Sequence, residues 1–423
     1  MAAHIVIDAR KLGDFGIGVY IENLIRGLAE LQQSGVIDVR LTLLVPPLFL
    51  EAGAPVAVQQ FIAEIDKGAV FVAEPAGKYS FSELFLLTRR QRPHLAMADL
   101  YHSPHFTLPY FIGLPAVVTI HDVIHVTRPE KLSHRLMAKP LIRSAARRAD
   151  QIISVSAASA EMIRRIAAPL KTPITVVGNA LQAGIEVLPR REIAQWLETQ
   201  EFGRNPYCLF VGNERPHKGF AELLQAWAML VKRTGARNTP ELIAVGERYS
   251  STAHDMVRKL ALEDKVRFAG RVSRDTLCRL YNAARLVVAP SREEGFGLVA
   301  LESLACGVPV LCTPHASFQE VCGDAAWYAE DFSAEALSYA VENVLGDALQ
   351  RRRKVELGLE RIRRFTRAAV AERTCAVYEK ALAPAAEELD ITGSAKKRHR
   401  PVLFRAARKG RTVGVFVEQL EQS

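Results

Sequence analysis

The chain has 423 residues, 49% of them hydrophobic and 24% charged, which favours a globular protein of two domains over one of a single domain. Its longest apolar stretches are about a dozen residues and contain prolines, so they are too short for a membrane-spanning helix, and the early Asp8 and Arg10 argue against a secretory signal peptide. The net charge of +9 is concentrated near the end, because residues 391–423 carry eight Lys or Arg against two Glu and leave +3 for the first 390 residues.

The first half of the chain alternates predicted strands with helices. His4–Ala9 has the continuous apolar pattern of a buried strand, a glycine-rich loop follows at Gly13–Gly18, and Tyr20–Leu31 has the period of an amphipathic helix. Such alternation predicts a parallel sheet with helices on both faces. Further predicted strands are Leu41–Val45, Ala69–Val72, Leu100–Tyr101, Ala116–Ile120, Gln151–Val155 and Ile174–Val176.

A second strand–helix series follows a stretch of weaker periodicity. We place an N-terminal domain at residues 1–188, a linker at residues 189–206 and a C-terminal domain at residues 207–365. The predicted fold class is α/β, with two Rossmann-like, doubly wound domains facing each other across a cleft. Ligands bind such sheets beyond the carboxyl ends of the strands. Predicted strands of the second series are Tyr207–Val211, Glu241–Val245, Val266–Phe268, Arg285–Ala289 and Val308–Cys312.

The cysteine pattern indicates neither disulfides nor a metal site. No two of the six cysteines form a C-x-x-C pair, and no histidine pair lies beside them at zinc-ligand spacing. We therefore expect buried thiols in a reducing compartment and a cytoplasmic location.

The segment APSREEGFGLVALESLACGVP carries the most chemical information. Glu294 lies in its loop, and Glu302 follows eight residues later, about one turn into the predicted helix Leu298–Ala305. The loop glycines let a ligand approach the backbone, and the free N–H groups of a helix start favour anions. This pattern suits a sugar diphosphate, with Glu294 at the sugar hydroxyls and Glu302 at a ribose. The carboxylate spacing alone, however, favours a strand–turn–helix with two solvated glutamates.

The surrounding residues reverse that preference. The whole string resembles the E-x7-E segment of family-4 glycosyltransferases, which is usually close to EGFGLPxLEAMACGxPV; here Val299 and Ala300 stand where Pro-x is common. The resemblance covers about residues 4–383 and implies a GT-B fold, retaining sugar transfer, and a last helix at 366–383 that crosses back to the N-terminal domain. It excludes the basic tail, residues 384–423. The donor-binding residues that it implies in this segment are Glu294, Gly295, Phe296, Gly297, Leu298 and Glu302.

Two other parts of the C-terminal half resemble donor-binding segments of the same family. LFVGNERPHKG resembles the phosphate-binding loop, in which Lys218 would contact the donor diphosphate. Asn213 stands where many members have arginine, and Arg215 is a candidate to supply that charge. VRFAGRVSRDTLCRLYNAA resembles the segment beside the nucleotide base, where the backbone of Arg271 and Val272 would meet the base edge. Taken alone, Lys218 fits equally an exposed lysine at a helix start.

The N-terminal half contributes weaker motifs. Gly16 and Gly18 follow a strand and open a helix, but they form only half of a dinucleotide fingerprint, and a tight turn explains them equally. The resemblance implies a loop that reaches the donor phosphates and the acceptor when the domains close. In VTIHDVIHVTRP, His121 follows a strand and resembles the family histidine near the β-phosphate and the sugar. We expect mostly structural roles for His102 and His105.

The expected chemistry needs no metal and no other cofactor. The chain contains no Asp-x-Asp, and transferases that hold a diphosphate through a divalent cation generally need clustered carboxylates. Lys218, helix N–H groups and Arg215 would stabilise the leaving diphosphate. Glu294 would orient the sugar, and His121 would stabilise charge or geometry in a front-face displacement that retains the anomeric configuration.

The expected function is that of a hexosyltransferase acting on a glycan or lipid-linked acceptor. The GIG-x-Y and HD-x-I-H strings resemble a subset rich in mannosyltransferases of surface polysaccharide assembly, so GDP-mannose is the first donor to test. The alternatives are a sugar-nucleotide 2-epimerase of the same fold and a non-catalytic nucleotide-sugar-binding protein. We expect no nucleic-acid partner. The tail, residues 391–423, is either solvated or in peripheral contact with an anionic membrane at its inner face.

Overall fold

The structure, a computed structural model, describes residues 2–65, 68–200, 205–246, 249–383 and 403. These residues form two parallel sheets, each covered by helices on both faces. None of the helices in the described ranges is long and apolar enough to cross a lipid bilayer.

The N-terminal sheet has seven strands in the order β3-β2-β1-β4-β5-β6-β7. The strands are β1 (Ala3–Asp8), β2 (Val39–Val45), β3 (Ala69–Ala73), β4 (Leu100–Ser103), β5 (Ala116–Ile120), β6 (Gln151–Ser154) and β7 (Ile174–Val176). Ile5 of β1 pairs with Leu41 on one side and Leu100 on the other, so the winding direction of the sheet reverses beside β1. The helices are α1 (Phe15–Gln33), α2 (Val56–Ile65), α3 (Leu87–Arg90), α4 (Arg92–Leu95), α5 (Ile124–Thr127), α6 (Leu132–Arg148) and α7 (Ala157–Ala167).

The unbroken apolar run of β1 follows from burial on both faces. Ile5 and Ile7 belong to one core cluster, and Val6, which points to the opposite face, belongs to another. A central parallel strand has no solvated face, so it shows no polar alternation.

The C-terminal sheet has six parallel strands in the order β10-β9-β8-β11-β12-β13. The strands are β8 (Tyr207–Val211), β9 (Glu241–Val245), β10 (Val266–Gly270), β11 (Leu286–Ala289), β12 (Val310–Cys312) and β13 (Trp327–Tyr328). Its winding reverses between β8 and β11, which pair in parallel. In sequence, α8 (Arg190–Glu198) lies between the strands of the two sheets. The helices of the C-terminal domain are α9 (Phe220–Thr234), α10 (Ser251–Lys259), α11 (Arg274–Ala283), α12 (Leu298–Ala305), α13 (Ala316–Cys322), α14 (Ala334–Gly346) and α15 (Ala348–Arg361).

The last helix, α16 (Arg367–Leu382), crosses back to the N-terminal domain, as the family resemblance predicts. It packs so closely on α1 that a Cβ atom on Gly27 would lie 2.5 Å from the Arg367 carbonyl oxygen. Its Tyr378 hydroxyl also hydrogen-bonds to His102 Nδ1 at 2.7 Å. This helix follows the C-terminal domain in sequence and packs on the N-terminal domain, so it connects the two domains.

Most predicted elements are present, with differences at their ends. The linker, residues 189–206, contains α8. No bounds were predicted for α6, which is strongly basic and contains Pro140. The tail lies outside the described residues except for Leu403, which is buried in the core and accepts a hydrogen bond from the Asp38 backbone N–H at 2.9 Å.

Candidate active site

The candidate site lies where the strand ends of the two domains face each other. In each sheet the carboxyl ends of the strands at the reversal point, β1 and β4 in one and β8 and β11 in the other, are where doubly wound folds bind ligands. Most motif residues singled out in the sequence follow these strands or β5, whereas Arg271 and Val272 follow β10.

Two loops of the C-terminal domain bring a lysine and a glutamate together. Lys218 lies in a short 3-10 turn after β8, and its Nζ donates to Glu294 Oε2 at 2.8 Å. The Arg292 backbone N–H donates to the His217 carbonyl at 2.7 Å and ties one loop to the other. Gly219 has φ 68°, and a Cβ atom there would lie 2.1 Å from the Pro290 carbonyl oxygen. The pair therefore depends on a glycine at this point.

The electrostatics of the pair favour the ionised form of Glu294. Burial raises the pKa of Glu294, but the charge and hydrogen bond of Lys218 outweigh it and hold that pKa below its usual value. Both side chains keep about a fifth of their surface exposed, 21% for Lys218 and 19% for Glu294. They are thus open to a ligand in the cleft.

The helix start beside Glu294 has the geometry of an anion site. Gly297 caps α12 with φ 102°, and a Cβ atom there would lie 2.8 Å from the Phe318 ring. The first N–H groups of α12 have no partner within the helix and carry its positive dipole end. Phe296 is buried, and Leu298 packs at the edge of the core.

Glu302 lies deeper than the sequence suggests. It is only 6% exposed and accepts a hydrogen bond from the Tyr281 hydroxyl at 2.7 Å. Burial raises the pKa of Glu302 to about 7. Its role at a ribose stays a prediction.

The N-terminal domain presents His121 to the same cleft. The ring nitrogen Nε2 lies 3.0 Å from the Pro104 carbonyl oxygen, so it carries the proton and donates. Burial lowers the pKa of His121, which favours the neutral ring and leaves Nδ1 as an acceptor. A Cβ atom on Gly295 would lie 2.9 Å from the His121 carbonyl oxygen. The histidine motif and the E-x7-E loop are therefore in backbone contact across the cleft.

The remaining predicted residues line the cleft or its edges. Gly16 and Gly18, predicted in a loop, lie in the first turn of α1. A Cβ atom on Gly16 would lie 3.7 Å from Leu298, so the start of α1 faces the start of α12, whereas a Cβ atom on Gly18 would lie 2.9 Å from the Gly13 backbone nitrogen. Arg215 forms an ion pair with Glu130 of the N-terminal domain at 2.7 Å. The Asn213 side chain accepts from the Arg215 backbone N–H at 3.2 Å.

The segment predicted to lie beside the base contains a left-handed glycine, Gly270, with φ 67°. Arg271 is exposed and Val272 is half-buried. Ser273 caps α11 by accepting from the Thr276 backbone N–H. The assignment of Arg271 and Val272 to the nucleotide base stays a prediction.

A buried polar chain on the N-terminal side was missed in the sequence. Lys11 Nζ donates to the Tyr79 hydroxyl at 2.9 Å, and that oxygen lies 2.9 Å from His105 Nε2. Burial lowers the pKa of Lys11 to about 8, and it lowers the pKa of His105 well below its usual value. Lys11 stands just before the glycine-rich loop, which is the one signal that could have identified it. The structural role expected of His105 therefore includes holding Tyr79.

Several polar contacts hold the two domains together around the cleft. Ser156 and Ser159 both donate to the Gly295 carbonyl, at 2.7 and 3.1 Å. The Glu320 carboxylate accepts from the backbone N–H groups of Ala157 and Ala158, at 2.7 and 2.8 Å. These are the first residues of α7, so a carboxylate of one domain caps a helix of the other.

The fold and this cleft first define the class of protein. Sucrose-phosphate synthase from Thermosynechococcus elongatus superposes with a TM-score of 0.71 at 19% identity, over 90% of this chain and 99% of that chain. WaaG, a glycosyltransferase involved in lipopolysaccharide biosynthesis, gives 0.65 at 16% identity, over 88% and 99%. The structure is thus of the GT-B type.

Sequence comparison then defines the family. Residues 195–358 match the model "Glycosyl transferases group 1", and residues 16–182 match "Glycosyltransferase Family 4". O-antigen chain mannosyltransferase B of Escherichia coli is 33% identical over 296 residues, which cover 67% of this chain and 76% of that protein. O-antigen chain mannosyltransferase RfbU of Salmonella typhimurium is 24% identical over 351 residues, which cover 82% and 93%. The chain belongs to the group 1, family-4 glycosyltransferases, and it is a glycosyltransferase.

Proposed function

We propose that the protein is a retaining, metal-independent hexosyltransferase that moves mannose from GDP-mannose to a glycan or lipid-linked acceptor in surface polysaccharide assembly. The observation that carries the proposal is the contact of Gly295 with the His121 backbone. It places the Lys218–Glu294 pair of one domain opposite the histidine of the other.

The proposed roles follow from the charges of these groups. Lys218 and the N–H groups at the start of α12 supply positive charge for a diphosphate. Glu294, which is held ionised by Lys218, accepts hydrogen bonds from sugar hydroxyls. A neutral His121 with its proton on Nε2 offers Nδ1 as an acceptor to the same sugar, so it positions the sugar rather than adding a cation.

The proposed reaction is a displacement on one face of the sugar. The acceptor hydroxyl oxygen forms a bond to the anomeric carbon while the bond from that carbon to the diphosphate oxygen breaks. The acceptor proton passes to the leaving diphosphate, which departs on the same side, so no side chain has to act as a base. The products are the glycoside with retained configuration and the nucleoside diphosphate.

The choice of mannose and of a polysaccharide rests on the relatives. Two O-antigen chain mannosyltransferases are among them, and one matches at 33% identity. The GIG-x-Y and HD-x-I-H strings of the sequence point to the same donor.

A donor panel tests the proposal directly. The purified protein is mixed with radiolabelled GDP-mannose, UDP-glucose, UDP-galactose or UDP-N-acetylglucosamine and with lipid-linked or free oligosaccharide acceptors, after treatment with EDTA. We expect label transfer from GDP-mannose, no loss of activity with EDTA, and an α-linked product by NMR. An inverted linkage would refute the retaining mechanism, and a strict requirement for added Mg²⁺ would refute metal independence.

Two other results would replace the proposed function. Conversion of a nucleotide sugar to its 2-epimer without an acceptor would indicate an epimerase. Tight binding of a nucleotide sugar with no turnover across acceptors would indicate a binding protein.

A further inference from the structure

Two of the six cysteines meet where α11 lies beside the end of α12. Cys278 lies on α11, and Cys306 follows the last residue of α12, so the two are distant in sequence and form no C-x-x-C pattern. The Cys306 thiol hydrogen-bonds to the Cys278 sulfur atom. Both cysteines are free and buried. The fold therefore contains a pair of adjacent thiols that the sequence does not predict.

One backbone carbonyl lies against both sulfur atoms. Cys278 Sγ lies 3.5 Å from the Glu186 carbonyl oxygen, and the Cys306 thiol hydrogen-bonds to the same backbone group. A Cβ atom on Gly307, the residue after Cys306, would lie 3.4 Å from the Val187 side chain. These contacts place the two thiols side by side beneath residues 186 and 187.

The stretch that covers the thiol pair is itself exposed. Glu186 is exposed, and Val187 keeps 54% of its surface in solvent. Asn282 of α11 holds this stretch in place, because its Nδ2 donates to the Glu186 carbonyl at 2.9 Å and its Oδ1 accepts from the Leu188 backbone N–H at 2.8 Å. A peroxide molecule is little larger than water, so a small outward movement of residues 186 and 187 admits it to the sulfur atoms.

The pair contains one reactive sulfur atom and one proton donor. The hydrogen bond from Cys306 outweighs burial and holds the pKa of Cys278 below its usual value. Asn282 Nδ2 also lies 3.6 Å from the Cys278 sulfur. The same contact with Cys278 raises the pKa of Cys306, which keeps its proton. Because the thiolate is the form that reacts with oxidants, Cys278 is the sulfur that a peroxide oxidises first.

A second thiol pair in the same domain lacks this asymmetry. Cys312 ends β12 and Cys322 ends α13, and both are fully buried, with 0% exposure. Burial, followed by the hydrogen bond with Cys322, raises the pKa of Cys312 well above its usual value. Cys312 therefore stays a thiol, and the second pair is an internal control for the first.

The thiol pair lies one helical turn from Glu302. Tyr281 follows Cys278 by three residues on α11, and Glu302 precedes Cys306 by four residues, so each lies on the same helix face as its cysteine. The Tyr281 hydroxyl donates to Glu302 at 2.7 Å. A disulfide has an S–S distance of about 2.05 Å, which is shorter than a hydrogen-bond contact between two sulfur atoms. Bridging therefore draws α11 towards the end of α12 and displaces Glu302.

We propose that Cys278 and Cys306 form a peroxide-responsive switch, in which a reversible disulfide weakens the binding of the nucleotide-sugar donor. The Cys278 sulfur attacks one peroxide oxygen, the O–O bond breaks, hydroxide leaves and Cys278 becomes a sulfenic acid. The Cys306 sulfur then bonds to the Cys278 sulfur, the S–O bond breaks, and the oxygen leaves with the Cys306 proton as water. The two sulfur atoms lose two electrons, which the peroxide gains, and a dithiol reductant reverses the bridge.

The two parts of this proposal are separable. Formation of the disulfide depends only on the two thiols and the peroxide, and it requires neither donor nor acceptor. The effect on the donor rests on the proposed function and on the predicted place of Glu302 at the donor.

Mapping of the disulfide in the full-length protein tests the first part. The protein is treated near neutral pH with a slight excess of hydrogen peroxide, the remaining thiols are alkylated in denaturant, and intact protein and proteolytic peptides are analysed by mass spectrometry. We expect wild type to lose two hydrogen atoms, a mass decrease of about 2 Da, with one peptide pair joined through Cys278 and Cys306. Dithiothreitol should restore the mass. Six remaining free thiols, or a bridge between Cys312 and Cys322 instead, would overturn the proposal.

Single variants separate the roles of the two sulfur atoms. In Cys306→Ser no thiol attacks the sulfenic acid, so dimedone should label Cys278 after peroxide treatment. Cys278→Ser should form neither the bridge nor a dimedone adduct at Cys306. Cys322→Ala, which removes one thiol of the second pair, is the matched control and should bridge like wild type. Melting temperatures show whether each variant is folded, and the mapping of wild type stands without them. Dimedone labelling of Cys306 in Cys278→Ser, equal to that of Cys278 in Cys306→Ser, would overturn the assigned order of oxidation.

Donor binding to the reduced and bridged forms tests the second part. The probes are GDP-mannose and UDP-glucose, and affinity is measured by calorimetry. We expect the bridged form to bind the donor about tenfold more weakly, as on loss of one hydrogen bond to a charged group, and reduction to restore the affinity. Peroxide should leave the affinity of Cys278→Ser unchanged. Equal affinity of reduced and bridged wild type would overturn the switch. Failure of the reduced protein to bind any nucleotide sugar would refute the proposed function together with this second part, and would leave the mapped disulfide standing.

Discussion

The Lys218–Glu294 pair is better explained by ligand binding than by stability. The two atoms are 2.8 Å apart, but both side chains are partly exposed, and a pair in contact with water contributes little to folding. Glu294 lies in the loop that leads into α12, whose first N–H groups have no partner within the helix. A diphosphate placed there would meet both sources of positive charge.

Replacing Lys218 should therefore lower turnover more than stability. A hydrogen bond to a charged group contributes about 1.5–3 kcal/mol, so Lys218→Met should reduce kcat by roughly 10- to 150-fold, with a smaller rise in the donor KM because diphosphate charge grows during bond breaking. Steady-state kinetics with the preferred donor and the melting temperature are the measurements. Lys232→Met, on the last turn of α9, is the control. Unchanged kcat in Lys218→Met would remove Lys218 from the reaction.

Glu302 should make the stability of the protein depend on pH. Burial raises its pKa from 4.5 to about 7, so the folded protein retains a proton that the unfolded chain has released. The free energy of unfolding should then be highest below pH 4.5 as far as this group is concerned and should fall by about 3 kcal/mol as the pH rises through 7. Glu302→Gln should lack this contribution, and the difference is read from urea unfolding at pH 5 and pH 8. Equal pH slopes in the two proteins would contradict the prediction.

At the scale of elements, the site depends on how tightly two loops pack. Gly219 requires a left-handed backbone and also leaves no space for a Cβ atom, which would lie 2.1 Å from the Pro290 carbonyl oxygen. Gly35 has the same backbone requirement, with φ 73°, but nothing within 4 Å of its Cβ position. The two glycines thus separate backbone strain from close packing.

Gly219→Ala should lower the free energy of unfolding more than Gly35→Ala does. A left-handed non-glycine residue costs on the order of 1 kcal/mol, which is all that Gly35→Ala should lose. Gly219→Ala must in addition push apart the loops that carry Lys218 and Glu294, so it should lose more stability and most of the activity. Chemical unfolding and donor transfer by the two variants are the measurements, and equal destabilisation would show that the loops can move apart freely.

The same elements show which parts of the site the sequence can predict. Glu294 and Glu302 are placed by local structure, a loop and one helical turn, so their spacing and the glycines between them are enough. The hydrogen bond from Lys11 to Tyr79 joins residues 68 positions apart. No pattern in either segment predicts that the two side chains meet. The burial of Glu302 was not predicted either, and the hydroxyl from which it accepts a hydrogen bond belongs to Tyr281, on a different helix.

For the whole molecule, several of the contacts between the domains around the cleft are polar. The Ser156 and Ser159 hydroxyls hold the Gly295 carbonyl, Arg274 pairs with Glu22 at 3.0 Å, and Glu320 caps α7. Polar contacts of this type exchange with water at low cost, so the domains can separate to admit a donor and then close. The closed arrangement is what brings His121 next to Gly295.

Glu320 offers the sharpest test of this closure. Its carboxylate accepts two backbone hydrogen bonds at the start of α7, where the helix dipole adds to their strength. Charged hydrogen bonds contribute about 1.5–3 kcal/mol each, so Glu320→Ala should shift the balance between closed and open forms by tenfold or more. Because closure assembles the site, we expect a larger radius of gyration by small-angle scattering and a higher donor KM, with little change in the thermal stability of either domain. Glu342→Ala breaks the Arg233–Glu342 pair inside the C-terminal domain and should leave both quantities unchanged. Identical scattering and KM in Glu320→Ala and wild type would mean that α16 and the remaining contacts hold the domains closed without the cap on α7.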